Sequence, residues 1–247
     1  MIMICGLKNG LFFSLLFSLM SFLSCTTVEQ KERPVPEVPL NDPAIVPAGR
    51  TLKWWVDRHN SRASTVVENQ KIVFIGDSIT QGWERTRAWE ELNQRFNRRI
   101  TNLGFTADQT QHVLWRLENG EFPAGINPEY VALMIGTNNK MPPESTAAGI
   151  GKIVEYINAV SPSTKVILFS ILPCGSGTDD ENTVRYNAVN KIIQTYDGYL
   201  NIQYAGIGHY FLDSGGALKE ELFLKDRLHL SPEGYDLWKE KILEIIE

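Results

Sequence analysis

The chain has 247 residues, of which 43% are hydrophobic, 21% charged and 10% aromatic. That balance excludes a disordered chain, a collagen-like repeat and a polytopic membrane protein. A formal charge of -5 offers no basic surplus for nucleic acid, so no nucleic-acid partner is expected. Three cysteines, Cys5, Cys25 and Cys174, make neither a C-x-x-C pair nor a disulfide framework.

The first segment reads as an address. Lys8 is the only charged residue before Glu29, and Leu11 to Leu23 is apolar except for Ser14, Ser18 and Ser21. Thirteen such residues are too few to span a bilayer comfortably and suit the apolar region of a signal peptide. Phe22-Leu23-Ser24-Cys25 resembles a bacterial lipobox, with Phe22 where Leu is usual. The resemblance implies removal of residues 1–24 as a lipoprotein signal peptide and lipidation of Cys25. The mature chain would then be held on a membrane in the bacterial cell envelope, periplasmic or at the cell surface. An ordinary cleaved signal, giving a secreted protein, is the alternative. Cleavage leaves 23 basic against 29 acidic residues. Cys174 then stands alone and reads as a small buried hydrophobe. Residues 26–49 hold five of the twelve prolines and no apolar period, so 25–49 is expected to be an extended tether before the domain at 50–247.

Within the domain, apolar runs alternate with helical periods. Trp54, Trp55 and Val56 suggest a helix ahead of the first strand. The runs at 71–75, 100–103, 130–135 and 166–172, and a weaker one at 202–205, are bounded by Gly or Pro and suit strands buried on both faces. Between and after them, Trp89/Leu92/Phe96, Val113/Leu114/Leu117, Ile150/Ile153/Val154/Ile157, Val189/Ile192/Ile193/Tyr196 and Trp238/Ile242/Ile245 fall on single helical faces. The last has Ser231 as N-cap and Pro232 at the first helical position. Strand–helix alternation predicts an α/β fold, a three-layer α/β/α sandwich on a five-stranded parallel sheet. No internal repeat and no second domain is evident.

In an open parallel sheet, ligands bind beyond the carboxyl ends of the strands. Gly76-Asp77-Ser78-Ile79-Thr80 follows the first run, Gly104 the second and Gly136-Thr137-Asn138-Asn139 the third. Asp226-Arg227-Leu228-His229 precedes the last helix. Taken singly, Ser78 and Asp77 could be caps, Gly104 a turn, Asn138 an Asx-turn residue, and Asp226 and His229 a solvated pair. Together they supply a hydroxyl, a backbone N–H beside a glycine, a carboxamide and an Asp/His pair, the inventory of an acyl-transfer site. His59, His112 and His209 lack an acidic residue three positions earlier and are expected to be structural. The histidines and cysteines show no zinc spacing, and there is no phosphate- or dinucleotide-binding loop. No metal and no cofactor is expected.

The blocks GDSIT at 76–80, NLG at 102–104, GTNN at 136–139 and DRLH at 226–229 resemble those of the SGNH, or GDSL-type, hydrolases. More narrowly, HVLWRLENGE at 112–121, the GTNN block and HLSPEGY at 229–235 are similar to the catalytic subunits of platelet-activating-factor acetylhydrolase and their bacterial relatives. The resemblance covers roughly 54–246 and implies the flavodoxin-like SGNH hydrolase fold. Asn139 stands where the wider family has Asp, as it does in the narrower group. Carried over by position, Ser78 is the nucleophile, His229 the general base and Asp226 its orienter. The backbone N–H groups of Ser78 and Gly104 and the Asn138 amide form the oxyanion hole. Asp77, Ile79 and Leu228 are expected at the substrate, the last two lining a small acyl pocket that favours acetyl. The related subunits dimerise, so a homodimer is a possible state.

Removal of acetyl groups from O-acetylated carbohydrates is the first expectation. A phospholipid-type or other small acetyl ester is the second, and a non-catalytic glycan-binding surface lipoprotein is a third reading of the same cleft. Trp83 and Trp89 could stack on sugar rings or pack in the core.

Overall fold

The computed structural model describes residues 33–247, apart from Ser64 and Val67. The signal at 1–24, Cys25 and the first part of the expected tether lie outside the described residues.

Among the described residues five strands form one sheet: β1 (Ile72–Gly76), β2 (Ile100–Gly104), β3 (Tyr130–Met134), β4 (Lys165–Phe169) and β5 (Ile202–Ala205). All pairings are parallel, in the order β2-β1-β3-β4-β5. The chain leaves β1 toward one edge and returns past it to β3, so a crevice opens at the carboxyl ends of β1 and β3. The register sets Gly76 beside Gly104 and Met134.

Among the described residues seven α-helices cover the sheet: α1 (Lys53–Arg62), α2 (Ser78–Gly82), α3 (Arg87–Arg95), α4 (Thr110–Arg116), α5 (Pro143–Val160), α6 (Glu181–Ile193) and α7 (Pro232–Ile246). Alternate strand residues serve opposite faces. Val73, Ile75, Val131 and Leu133 pack with the buried stripes of α4, α5 and α6. Ile72, Phe74, Ala132 and Met134 pack with Leu92 of α3 and Trp238 and Ile242 of α7. Both faces are therefore dry, which is why the strands read as continuous apolar runs. Ser231 caps α7, its Oγ accepting from the Gly234 N–H at 3.1 Å. In α1, Trp55 is buried and Trp54 exposed.

Two expectations are corrected. The run at 166–172 leaves the sheet after Phe169, because Asn190 of α6 takes over the backbone of Ile171, donating to its carbonyl at 2.9 Å and accepting from its N–H at 2.8 Å. Residues 33–49, expected as part of a free tether, are instead laid along the domain. Val35 and Ala44 are buried, the Ala44 carbonyl accepts from Thr110 Oγ1 at 2.9 Å, and Asp42 Oδ2 accepts from Ser145 at 2.6 Å. The prolines do exclude a long helix there, but a few isolated apolar and hydrogen-bonded anchors suffice to dock a segment of irregular backbone with turns at 39–46. The close approach needs glycine on α5: a Cβ on Gly149 would stand 2.6 Å from the Ala44 carbonyl, and one on Gly151 2.4 Å from Val35.

Candidate active site

β1 ends at Gly76, where a Cβ would lie 2.1 Å from Thr80 Oγ1 and 2.3 Å from the Met134 carbonyl. Asp77 then leaves extended geometry and caps α2, its Oδ1 accepting from the Ile79 N–H at 3.0 Å. This places Ser78 in the first turn of α2 at the carboxyl edge of the sheet, with its own N–H donating to no other group among the described residues. From α7, Tyr235 donates to the Ile79 carbonyl at 2.7 Å and fixes α2 from behind.

Ser78 Oγ lies 2.9 Å from His229 Nε2. His229 Nδ1 lies 2.7 Å from Asp226 Oδ2. Asp226 Oδ1 accepts the N–H groups of Leu228 and His229, both at 3.0 Å. The turn requires a left-handed Arg227, with φ of 54°, held by its Nε donating to the Gly175 carbonyl at 2.6 Å. Burial pushes the Asp226 carboxyl up, but the hydrogen bonds from the His229 ring and the two backbone N–H groups outweigh it and hold the group below its ordinary range. An ionised Asp226 on Nδ1 leaves Nε2 as the acceptor facing Ser78.

Gly104 sits against α2, where a Cβ would meet the Gln81 nitrogen at 2.3 Å. Its N–H donates to Asn102 Oδ1 at 2.8 Å, and Asn102 Nδ2 donates to the Thr80 carbonyl at 2.7 Å. That expected oxyanion donor is therefore engaged by a neighbouring carboxamide. Asn138 is half-buried. One of its amide hydrogens goes to the Asp108 carbonyl at 3.0 Å, and its own carbonyl accepts from Gln109 Nε2 at 2.8 Å, leaving the second amide hydrogen free to act.

A buried ionic network supports this loop. Arg116, wholly buried, donates from Nε to Asp108 Oδ2 at 2.8 Å and from Nη1 to Glu121. Trp55 Nε1 donates to Asp108 Oδ1 at 2.7 Å, and His59 Nδ1 lies 2.8 Å from Glu121 Oε1.

A cleft of about 450 Å³ opens beside Ser78 and His229, with Gln81, Arg85, Leu224 and Tyr235 in its walls. The three residues expected at the substrate do not line this cleft. Asp77 is 1% exposed beneath the site, and burial pushes its carboxyl up to about 6 against the Ile79 N–H and Thr137, which favour the ionised form. Its Oδ2 makes no hydrogen bond. Ile79 is buried in the core on the α3/α7 face. Leu228 is half-buried against the core on the opposite face. Neither lines the cleft. Conversely, Gln81 and Arg85 do: Gln81, three positions after Ser78, shares its face of α2, and Arg85 lies in the 3-10 turn that follows.

The remaining histidines are occupied away from Ser78. His59 stacks on Trp55, and His112 Nδ1 accepts from the Gln109 N–H at 3.1 Å. His209 Nδ1 meets the Gly206 carbonyl at 2.9 Å. Trp83 is fully buried and Trp89 half-buried, both packed with Phe74. Cys174 is buried, and burial raises its thiol above the ordinary range. Among the described residues, no group of three His, Cys, Asp or Glu side chains converges as a metal site.

Residues 74–237 match the model of the GDSL-like lipase/acylhydrolase family. The chain belongs to that family. It is 32% identical over 185 residues to the platelet-activating factor acetylhydrolase IB subunit alpha1 of Rattus norvegicus, covering 74% of this chain and 78% of that protein. Among solved structures, a GDSL-like lipase from Bacteroides thetaiotaomicron superposes with a TM-score of 0.64 at 22% identity, over 77% of this chain and 96% of the other. An acetyl-xylooligosaccharide esterase variant from Geobacillus does so with a TM-score of 0.58 at 17% identity, over 73% and 95%. Like its family, the protein is a carboxylic ester hydrolase.

Proposed function

We propose that the protein is a serine esterase that removes acetyl groups from O-acetylated carbohydrates through an acyl-enzyme. The observation that carries the reading is the Ser78 Oγ to His229 Nε2 separation of 2.9 Å, with Asp226 on the far ring nitrogen at 2.7 Å. His229 takes the Ser78 proton as Oγ attacks the ester carbonyl, and Asp226 stabilises the imidazolium. The negative oxygen is met by the Ser78 N–H and the free hydrogen of the Asn138 amide. The Gly104 N–H joins them by sharing its proton between Asn102 Oδ1 and the oxyanion. Collapse expels the alcohol, which takes its proton from His229 and leaves acetyl on Ser78. Water, deprotonated by His229, then releases acetate. Each proton in the cycle is carried by His229, so the reading calls on no metal and no cofactor.

The curated relative's name, an acetylhydrolase at 32% identity, supports acetyl as the acyl group. The polar wall of the cleft at Gln81, Thr86 and Thr106 supports a sugar alcohol as the leaving group. The same relative's name also favours a second reading, an acetylated phospholipid. Acetate release from acetylated polysaccharides against acetylated phospholipids separates the two. Turnover of 4-nitrophenyl acetate by wild type and Ser78→Ala tests the chemistry: the variant is expected to lose at least about 10³-fold in kcat, and equal rates would return the cleft to a glycan-binding role. The reading includes a lipid anchor at Cys25 in the cell envelope; Cys25→Ser is expected to move the protein from the membrane to the soluble fraction.

A further inference from the structure

Arg85 stands on the wall of the catalytic cleft with Ser78 and His229. It is exposed, and among the described residues it is the one arginine with neither a hydrogen bond nor an ion pair. The acid beside it in sequence is committed elsewhere: Glu84 accepts from Arg58 at 3.1 and 3.2 Å and from Arg62 at 2.6 Å. No Asp or Glu lines the cleft, although acidic residues outnumber basic ones, 29 to 24, in the whole chain. A second donor shares the wall. Gln81 Oε1 accepts both the Thr106 N–H, at 2.7 Å, and the Thr106 hydroxyl, at 2.9 Å, which fixes the amide and leaves its NH₂ without a partner among the described residues.

A guanidinium and a primary amide on one wall, without a competing carboxylate, form a receptor for a planar anion. Deepening the esterase reading and resting on it, we infer that the alcohol part of the substrate carries a carboxylate, as in an acetylated acidic sugar, and that Arg85 pairs with that group while Gln81 donates to it. An uncompensated cation in a cleft of an acidic protein also steers an anion toward Ser78. Leu224, exposed at the cleft, offers an apolar contact to the face of a sugar ring.

The test uses two substrates that differ only in charge, an O-acetylated uronic acid glycoside and its methyl ester. Wild type is expected to show a kcat/KM about tenfold higher for the acid, and Arg85→Gln is expected to bring the ratio to about one. Arg85→Glu should invert it. Equal values in wild type, or a preference that survives Arg85→Gln, would overturn the inference. So would a larger kcat/KM for an anionic acetylated lysophospholipid than for the acid sugar. Binding of the two acetylated sugars to Ser78→Ala, by calorimetry, keeps the matter independent of turnover. Tighter binding of the acid that disappears in Ser78→Ala/Arg85→Gln supports the anion site even where hydrolysis is not seen, and equal binding overturns it. Absence of turnover on 4-nitrophenyl acetate would count against the esterase reading alone.

Discussion

Asn138 shows how a side chain can be anchored and still keep a donor free. One amide hydrogen fixes it to the Asp108 carbonyl, and the other is the one proposed to meet the oxyanion. Asn138→Ala is expected to lower kcat on 4-nitrophenyl acetate by about 10²–10³ with little change in substrate binding; an unchanged kcat would remove it from the oxyanion hole. Asp77 makes a separate prediction. Its carboxyl is raised from 3.8 to about 6 by burial, so the folded state binds the proton more tightly than the unfolded one. The stability linked to this group is full below the unfolded value and is lost as pH climbs through about 6. Asp77→Asn keeps the cap oxygen and removes the charge. Urea unfolding at pH 4 and pH 8 should find the variant gaining, relative to wild type, up to about 3 kcal/mol at the higher pH; an identical pH slope would refute this. At this scale the sequence revealed residue types but not directions. Ser78, Asp226 and His229 were legible because a hydroxyl after a strand and an acid three residues before a histidine have few other uses in combination. The facing of Ile79 was not legible, because adjacency to Ser78 says nothing about it: successive helical residues point about 100° apart, and that turn sends Ile79 into the core.

Helices and strands were the most legible elements, since burial on two faces or one writes a period into the chain. The segment at 33–49 was not, because it docks without a period. Val35, Asp42 and Ala44 hold it at separate points, and α5 receives it over Gly149 and Gly151. Gly149→Val forces the Ala44 carbonyl and the Thr110 side chain apart, each now within 2.7 Å of the place a Cβ would take. Thermal unfolding should register a loss of about 1–3 kcal/mol, with esterase activity of the folded fraction retained. A variant as stable as wild type would mean that the segment lifts from α5 at little cost. The Asn190 clasp on Ile171 escaped the sequence for a similar reason, since a side chain that imitates a strand leaves no mark in the run it terminates.

For the described domain as a whole, the strand order 2-1-3-4-5 brings segments more than 150 positions apart in sequence, at Ser78 and His229, within 2.9 Å. The network of Arg116, Asp108, Glu121, Trp55 and His59 was invisible in advance, because charged residues inside a helical period read as its solvated face. It ties α1 to the loop that holds Asn138, so the proposed oxyanion donor rests on the core. The charge of the cleft likewise belongs to the molecule: among the described residues of an acidic chain, the one arginine without an ion pair or hydrogen bond, Arg85, lines the cleft beside Ser78. The central claim is that Ser78 takes the acyl group in a covalent intermediate. Mass spectrometry of protein acid-quenched during turnover of 4-nitrophenyl acetate tests it most directly. An acetyl group on the peptide carrying Ser78, absent in Ser78→Ala and strongly reduced in His229→Ala, is the predicted result; acetyl on another residue, or turnover in Ser78→Ala equal to wild type, would contradict it.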